Sequence, residues 1–153
     1  MDKILHLEEL TKKVRGLKEK GKTVTLCHGV FDLLHIGHMK YFQEAKTFGD
    51  TLVVTLTPDK FVNKGPDRPV FAEDLRAEAV AFLDVVDYVA INEWSTAIEV
   101  IRELKPDVYV KGPDYKNYDN DITGNIKLEE EAVKSIGGEI AFTSGEIFSS
   151  SSL

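Results

Sequence analysis

Apolar runs of strand length alternate with stretches of helical period along most of this chain, and few architectures accept that pattern. Thr23-Val-Thr-Leu-Cys27, Thr51-Leu-Val-Val-Thr-Leu56, Val86 to Ile91, Val108-Tyr-Val110 and Glu139 to Phe142 read as strands. Short apolar runs rich in β-branched residues suit strands covered on both faces. Helical segments fall between them: Gly37 to Phe48 closed by Gly49, Ala72 to Leu83, Thr96 to Leu104 broken before Pro106, and Glu129 to Ile136 followed by Gly137-Gly138. A further helix is expected at the start, where Leu7, Leu10, Val14 and Leu17 form one stripe within Leu7 to Lys20 and Gly21 supplies a stop. Such alternation predicts an α/β fold, a parallel sheet of about five strands with helices on both faces and right-handed crossovers. With 153 residues and 42% apolar content, residues 1–153 are expected to form a single domain.

Charge and cysteine usage narrow the functional classes. A formal net charge of −7 argues against duplex nucleic acid or an anionic membrane as the main partner, since each calls for a broad basic face. A lone Cys27 rules out a disulfide framework. With no apolar stretch long enough to span a bilayer, the expected setting is the cytoplasm. Asn63 to Pro69 and Gly112 to Asn125 are crowded with Gly, Pro, Asn and Asp and read as loops.

In an open, Rossmann-like sheet the ligand site lies beyond the carboxyl ends of the strands, where the first strand turns into its helix. Residues 28–40, HGVFDLLHIGHMK, occupy that turn. Neither GxGxxG nor GxxxxGK[ST] occurs, so no dinucleotide crevice or P-loop is encoded. What is encoded is HxGH, His35-Ile36-Gly37-His38, at a helix start. Two imidazoles three residues apart share one face, Gly37 removes a side chain that would block close approach, and the helix N-terminus adds backbone N–H donors. That combination suits a polyphosphate. A zinc reading of the pair is weak, because helical zinc histidines sit at i and i+4. Asp32 reads equally well as a turn cap, and His28 and His6 read by default as solvated or hydrogen-bonded histidines.

GVFDLLHIGHMKYFQEAKTFGD resembles the opening of the cytidylyltransferase-like nucleotidyltransferases, which join a nucleoside triphosphate to a phosphorylated acceptor and release pyrophosphate. VKGPDYK (Val110 to Lys116) and GGEIAF (Gly137 to Phe142) are most similar to the branch containing the adenylyltransferase domain of ADP-heptose synthesis. The resemblance implies catalytic roles for His35, His38, Lys64 and Arg76. It also implies nucleotide contacts from Gly29, Val30, Phe31, Asp32 and Gly37, and from Ser149 and Ser150 in the terminal IFSSSS run, which is similar to the family's ISST-like motif. Lys111, Gly112 and Asp114 follow a strand end, so topology places them in the same crevice as nucleotide or acceptor contacts.

The chemistry expected of such a site is positioning plus charge stabilisation. An acceptor phosphate is already anionic at neutral pH and attacks the α-phosphorus without a covalent protein nucleophile. Donors from His35 and His38 would meet the charge that grows there, and Lys64 and Arg76 would grip the phosphates. Magnesium is expected to arrive with the triphosphate, held by water and phosphate oxygens and not by an all-protein cage. The expected substrates are ATP and a heptose 1-phosphate-like sugar phosphate. The alternatives are CTP with glycerol 3-phosphate or another small phosphorylated alcohol, a non-catalytic nucleotide-binding domain, and a flavodoxin-like carrier or dehydrogenase, which should carry a Gly- or Ser/Thr-rich phosphate loop in place of HxGH. A homodimer is expected, since relatives of this fold commonly pair. Too few residues follow Ser149 to build the family's final helix. The chain is therefore expected to be a piece of a longer one, with a fused sugar kinase domain as the candidate extension.

Overall fold

The computed structural model describes residues 2–62, 69–113 and 125–144. Five strands form one sheet: β1 (Val24–Gly29), β2 (Thr51–Leu56), β3 (Tyr88–Ile91), β4 (Val108–Lys111) and β5 (Glu139–Phe142). Every pairing is parallel and the spatial order is β3-β2-β1-β4-β5. The helices are α1 (Leu7–Glu19), α2 (Ile36–Lys46), α3 (Glu73–Ala81), α4 (Ile98–Leu104) and α5 (Asn125–Ser135).

All six residues of β2 are buried, which is why its sequence shows no polar alternation. One core lies between the sheet and α1, α4 and α5, gathering Leu10, Val14, Leu26, Val53, Ile101, Tyr109 and Val133. A second lies under α2 and α3, gathering Cys27, Phe42, Leu52, Val54, Val80 and Val110. Successive strand residues divide between the two cores, as a period of two requires. Full burial of a side chain such as Phe42 or Leu52 contributes about 1.5–3 kcal/mol. The expected α/β sheet with helices on both faces is therefore the observed fold.

Several boundaries move for physical reasons. β1 runs to Gly29 instead of stopping at Cys27, because His28 and Gly29 pair in register with Thr55 and Leu56. Helix α5 starts at Asn125 and not at Glu129, since Ile126, Glu129 and Val133 already form its buried stripe. Helix α4 starts at Ile98, after the expected Thr96. There the Thr96 hydroxyl accepts the Ile98 N–H, and the Asn92 amide donates to the carbonyls of Trp94 and Thr96. β3 begins at Tyr88 because Val86 is held in a turn by its N–H bond to the Leu83 carbonyl. Trp94 packs on the α1 side of the molecule and lines a groove of about 390 Å³ with Leu7, Thr11 and Arg15.

Strand order sets the site. From β1 the chain builds outward through α2 to β2 and α3 to β3, then returns by α4 to β4 on the other side of β1. The order reverses between β1 and β4, so a crevice opens beyond their carboxyl ends. It is flanked by α2 on one face of the sheet and α5 on the other.

Candidate active site

The turn out of β1 is built around Phe31. This residue has φ +50°, a left-handed conformation that costs a non-glycine residue about 1 kcal/mol. Packing holds it there: the ring lies 5.0 Å from Phe42 and meets His38 edge-on at 5.7 Å. A Cβ at Gly29 would sit 2.8 Å from the Phe31 ring, so glycine is what lets that ring fold back beneath the turn.

His35 is the N-cap of α2, and its Nδ1 accepts the Gly37 N–H at 3.1 Å. His38 Nδ1 accepts the His35 N–H at 3.3 Å, and the two rings stand 4.0 Å apart. Because each Nδ1 is an acceptor, the neutral form of each imidazole carries its proton on Nε2. The first turn of α2 holds no acidic residue, so the positive end of the helix dipole is not offset locally. Paired N–H donors at a helix N-terminus form an anion site.

Asp32 and Arg76 brace this turn. The Asp32 carboxylate accepts the N–H groups of Val70 at 2.7 Å and Phe71 at 2.9 Å. Arg76 is 1% exposed. Its Nε donates to the Phe71 carbonyl, its Nη1 to the carbonyls of Val30 and Thr57, and its Nη2 to Asp59 Oδ1 at 2.7 Å. The Asp59 N–H is held in turn by Glu73 Oε1. Arg76 is the residue expected to grip the phosphates. In the structure Val30, Thr57, Asp59 and the nearby Phe71 bind four of its five guanidinium N–H groups. Val30, expected as a nucleotide contact, supplies one of those carbonyls.

Across the crevice, Lys111 ends β4 and places Nζ 3.6 Å from Glu129 Oε2 of α5, with both side chains nearly buried. Gly112 follows directly. Lys64, Asp114, Ser149 and Ser150 lie outside the described residues. The chain leaving β5 is fastened to α2, since the Ser144 N–H reaches both carboxylate oxygens of Glu44 at 3.1 Å.

Two residues carry more than their sequence context suggested. His28 is half-buried and places Nδ1 2.8 Å from the Thr55 hydroxyl. Burial, then the neighbouring Lys111 charge, lower its pKa to about 3, so it is neutral in ordinary buffers. Glu129 balances Lys111, and the only sign of it in the sequence is an acidic residue on a helix's buried stripe. Cys27 is no nucleophile: burial raises its pKa to about 12. The Tyr41 hydroxyl donates to the Val110 carbonyl, tying α2 to β4, and its pKa is raised, chiefly by burial. Among the described residues no group of three or more His, Cys, Asp and Glu side chains is placed to hold a metal ion.

A parallel sheet with a reversal beside β1, and an HxGH turn at a helix N-terminus there, define a nucleotidyltransferase-type domain. The chain belongs to the cytidylyltransferase-like family, whose pattern matches residues 26–153. It is 43% identical over 140 residues to the bifunctional protein HldE of Geotalea uraniireducens, covering 90% of this chain and 27% of that protein. To the protein of the same name from Sulfurimonas denitrificans it is 48% identical over 111 residues, covering 71% of this chain and 23% of that one. The chain thus spans about a quarter of the length of these relatives. Among solved structures, the lipopolysaccharide core biosynthesis protein of Thermoplasma volcanium superposes with a TM-score of 0.67 at 28% identity, covering 83% of this chain and all of that one. A pantoate-beta-alanine ligase from Francisella tularensis shares the fold, with a TM-score of 0.62 at 17% identity over 92% of this chain and 66% of its own.

Proposed function

We propose that the protein is an adenylyltransferase that transfers AMP from ATP to a sugar phosphate resembling heptose 1-phosphate, with release of pyrophosphate. The observation that carries this reading is the His35–His38 pair at the N-terminus of α2, with both Nδ1 atoms turned into the protein. An oxygen of the acceptor phosphate attacks the α-phosphorus in line. The bond to the bridging oxygen of the β-phosphate breaks, and that oxygen leaves with the pyrophosphate. Charge grows on the α-phosphoryl oxygens and on the leaving group, where the Nε2–H donors and the α2 N-terminus stabilise it. No proton need leave the acceptor.

Gly29 and Phe31 fix the turn, and Gly37 keeps the helix start open to the phosphates. Asp32 and Arg76 hold the loop backbone, and Lys64, Gly112, Asp114, Ser149 and Ser150 are assigned to substrate contact. Magnesium, bound through phosphate oxygens and water, would neutralise part of the triphosphate charge. The name "bifunctional" and the greater length of the relatives support a second domain in them. For the protein studied here, a fused sugar kinase, a homodimer and a cytoplasmic setting are part of the same proposal; no helix among the described residues is long and apolar enough to cross a membrane.

The test is pyrophosphate release over a grid of the four nucleoside triphosphates against heptose 1-phosphate, glycerol 3-phosphate and related acceptors. ATP with the sugar 1-phosphate should give most product. Turnover with CTP and glycerol 3-phosphate alone would replace this reading with a cytidylyltransferase, and no turnover with any pair would leave a nucleotide-binding domain.

A further inference from the structure

The two walls of the crevice differ in chemistry. On the α2 side stand two imidazoles and a helix N-terminus with no acidic residue in its first turn. On the α5 side the polar groups stand on the sheet face that carries Leu26, Val53 and Tyr109. β1 and β4 pair Thr25 with Val108 and Leu26 with Tyr109, and continuing that register sets His28 beside Lys111. Lys111 is balanced by Glu129 at 3.6 Å.

The proton on His28 can be placed by what its neighbour requires. Thr55 is fully buried, and the described structure offers its hydroxyl one partner, His28 Nδ1 at 2.8 Å. Were Nδ1 the donor, the hydroxyl proton would be left buried without an acceptor, at a cost of about 1–3 kcal/mol. With the hydroxyl donating to Nδ1, every donor is used and the imidazole proton lies on Nε2. His28 is only partly buried and stands at the carboxyl end of β1, and with Nδ1 held by Thr55 the opposite edge of its ring, Nε2, is the one left to face the crevice.

Among the described residues this wall therefore offers the N–H donor of His28 beside a lysine whose charge Glu129 balances. A phosphate would gain little from it over water, whereas a hydroxyl oxygen is matched by neutral donors. The Tyr109 ring of this wall is fully buried and lies beneath Lys111. We propose that His28, supported by Thr55 and standing beside the Lys111–Glu129 pair, forms a subsite for a sugar hydroxyl, with His28 Nε2–H donating to its oxygen. This rests on the nucleotidyltransferase reading above. The hydroxyl belongs either to the ribose of the triphosphate or to the acceptor sugar.

The experiment measures KM and kcat for both substrates in the wild type, His28→Phe and His28→Asn. Each substrate is paired with analogues lacking a single hydroxyl: 2′- and 3′-deoxynucleoside triphosphates, and deoxy sugar phosphates. Thermal melting confirms that the variants are folded. His28→Phe should raise KM about tenfold for one substrate, leave kcat within about twofold, and abolish the preference for that substrate over its deoxy analogue. His28→Asn, which keeps a short N–H donor, should recover part of the loss. The substrate affected identifies ribose or acceptor. Unchanged KM for both substrates, an undiminished deoxy preference in His28→Phe, or a loss confined to kcat would each overturn the subsite. If the wild type turns over no pair, the enzymatic reading fails separately. Calorimetric Kd ratios of ribo- to deoxyribonucleotide, and of sugar phosphate to its deoxy analogues, in wild type and His28→Phe then decide the subsite, with equal ratios in the two proteins refuting it.

Discussion

The two ends of the sheet solve the same electrostatic problem in opposite ways. At the amino end, aspartates accept the N–H groups at the strand starts: Asp107 takes that of Val24 and Asp87 that of Leu52, each at 2.8 Å, and Asp50 takes that of Thr23. Lys46 then sits 2.6 Å from Asp87, and Lys18 lies 3.8 Å from Asp107. These strand-start N–H groups and charges are satisfied within the protein. At the carboxyl end the chain holds a strained Phe31, stacks two histidines, and leaves the α2 N-terminus without an acidic residue. One end closes its charges on itself, and the other holds strain and an unoffset helix N-terminus.

If that division is right, substitutions at the two ends should separate. His35→Ala and His38→Ala should each lower kcat about 10²–10³-fold, about 2.7–4 kcal/mol on the barrier, with little change in triphosphate affinity or melting temperature. Pyrophosphate release and calorimetry check this, and an unchanged kcat removes the pair from the mechanism.

Arg76→Met tests whether the brace belongs to the fold or to the phosphates. The change leaves the carbonyls of Val30, Thr57 and Phe71 without their donor, so we expect a stability loss of about 3 kcal/mol in denaturant titration. Arg76→Lys should restore only a minor part, since an ammonium cannot reproduce the planar fork. A variant that melts like the wild type but binds triphosphate weakly would move Arg76 from the brace to the ligand.

Acid should weaken the carboxyl end through His28. Its folded pKa of about 3 lies below the ordinary 6.5, so the unfolded chain binds the extra proton between those values. The stabilisation is complete above pH 6.5 and is lost as pH falls toward 3. Between pH 7 and pH 4 the melting temperature of the wild type should therefore drop several degrees further than that of His28→Asn. Parallel pH profiles would refute the assignment. The smallest effect belongs to the amino end: Asp107→Ala should cost about 1 kcal/mol in thermal melting and leave kcat unchanged.

Much of this molecule was legible in one dimension. Strand runs, helical stripes and Gly or Pro stops rest on local rules, and they led to a parallel sheet with helices on both faces. HxGH could be placed because a motif within one helical turn carries its own geometry. Boundaries were less legible where a side chain stood in for backbone bonding, as Asn92 and Thr96 do before α4.

The sequence by itself determined the elements, the absence of a P-loop, and the pair His35 and His38, because each depends on residues within a few positions of one another. Tertiary structure decided which polar groups face one another. Arg76 finds Asp59 and the carbonyls of Val30 and Thr57 from loops distant in the chain, and Lys111 finds Glu129 on the following helix. His28 enters the sheet through its register with Thr55, which brings its Nδ1 to the Thr55 hydroxyl. Partners of a buried polar group are chosen by the cost of leaving it unsatisfied in a low dielectric, and that cost is set only when the surrounding chain has closed over it.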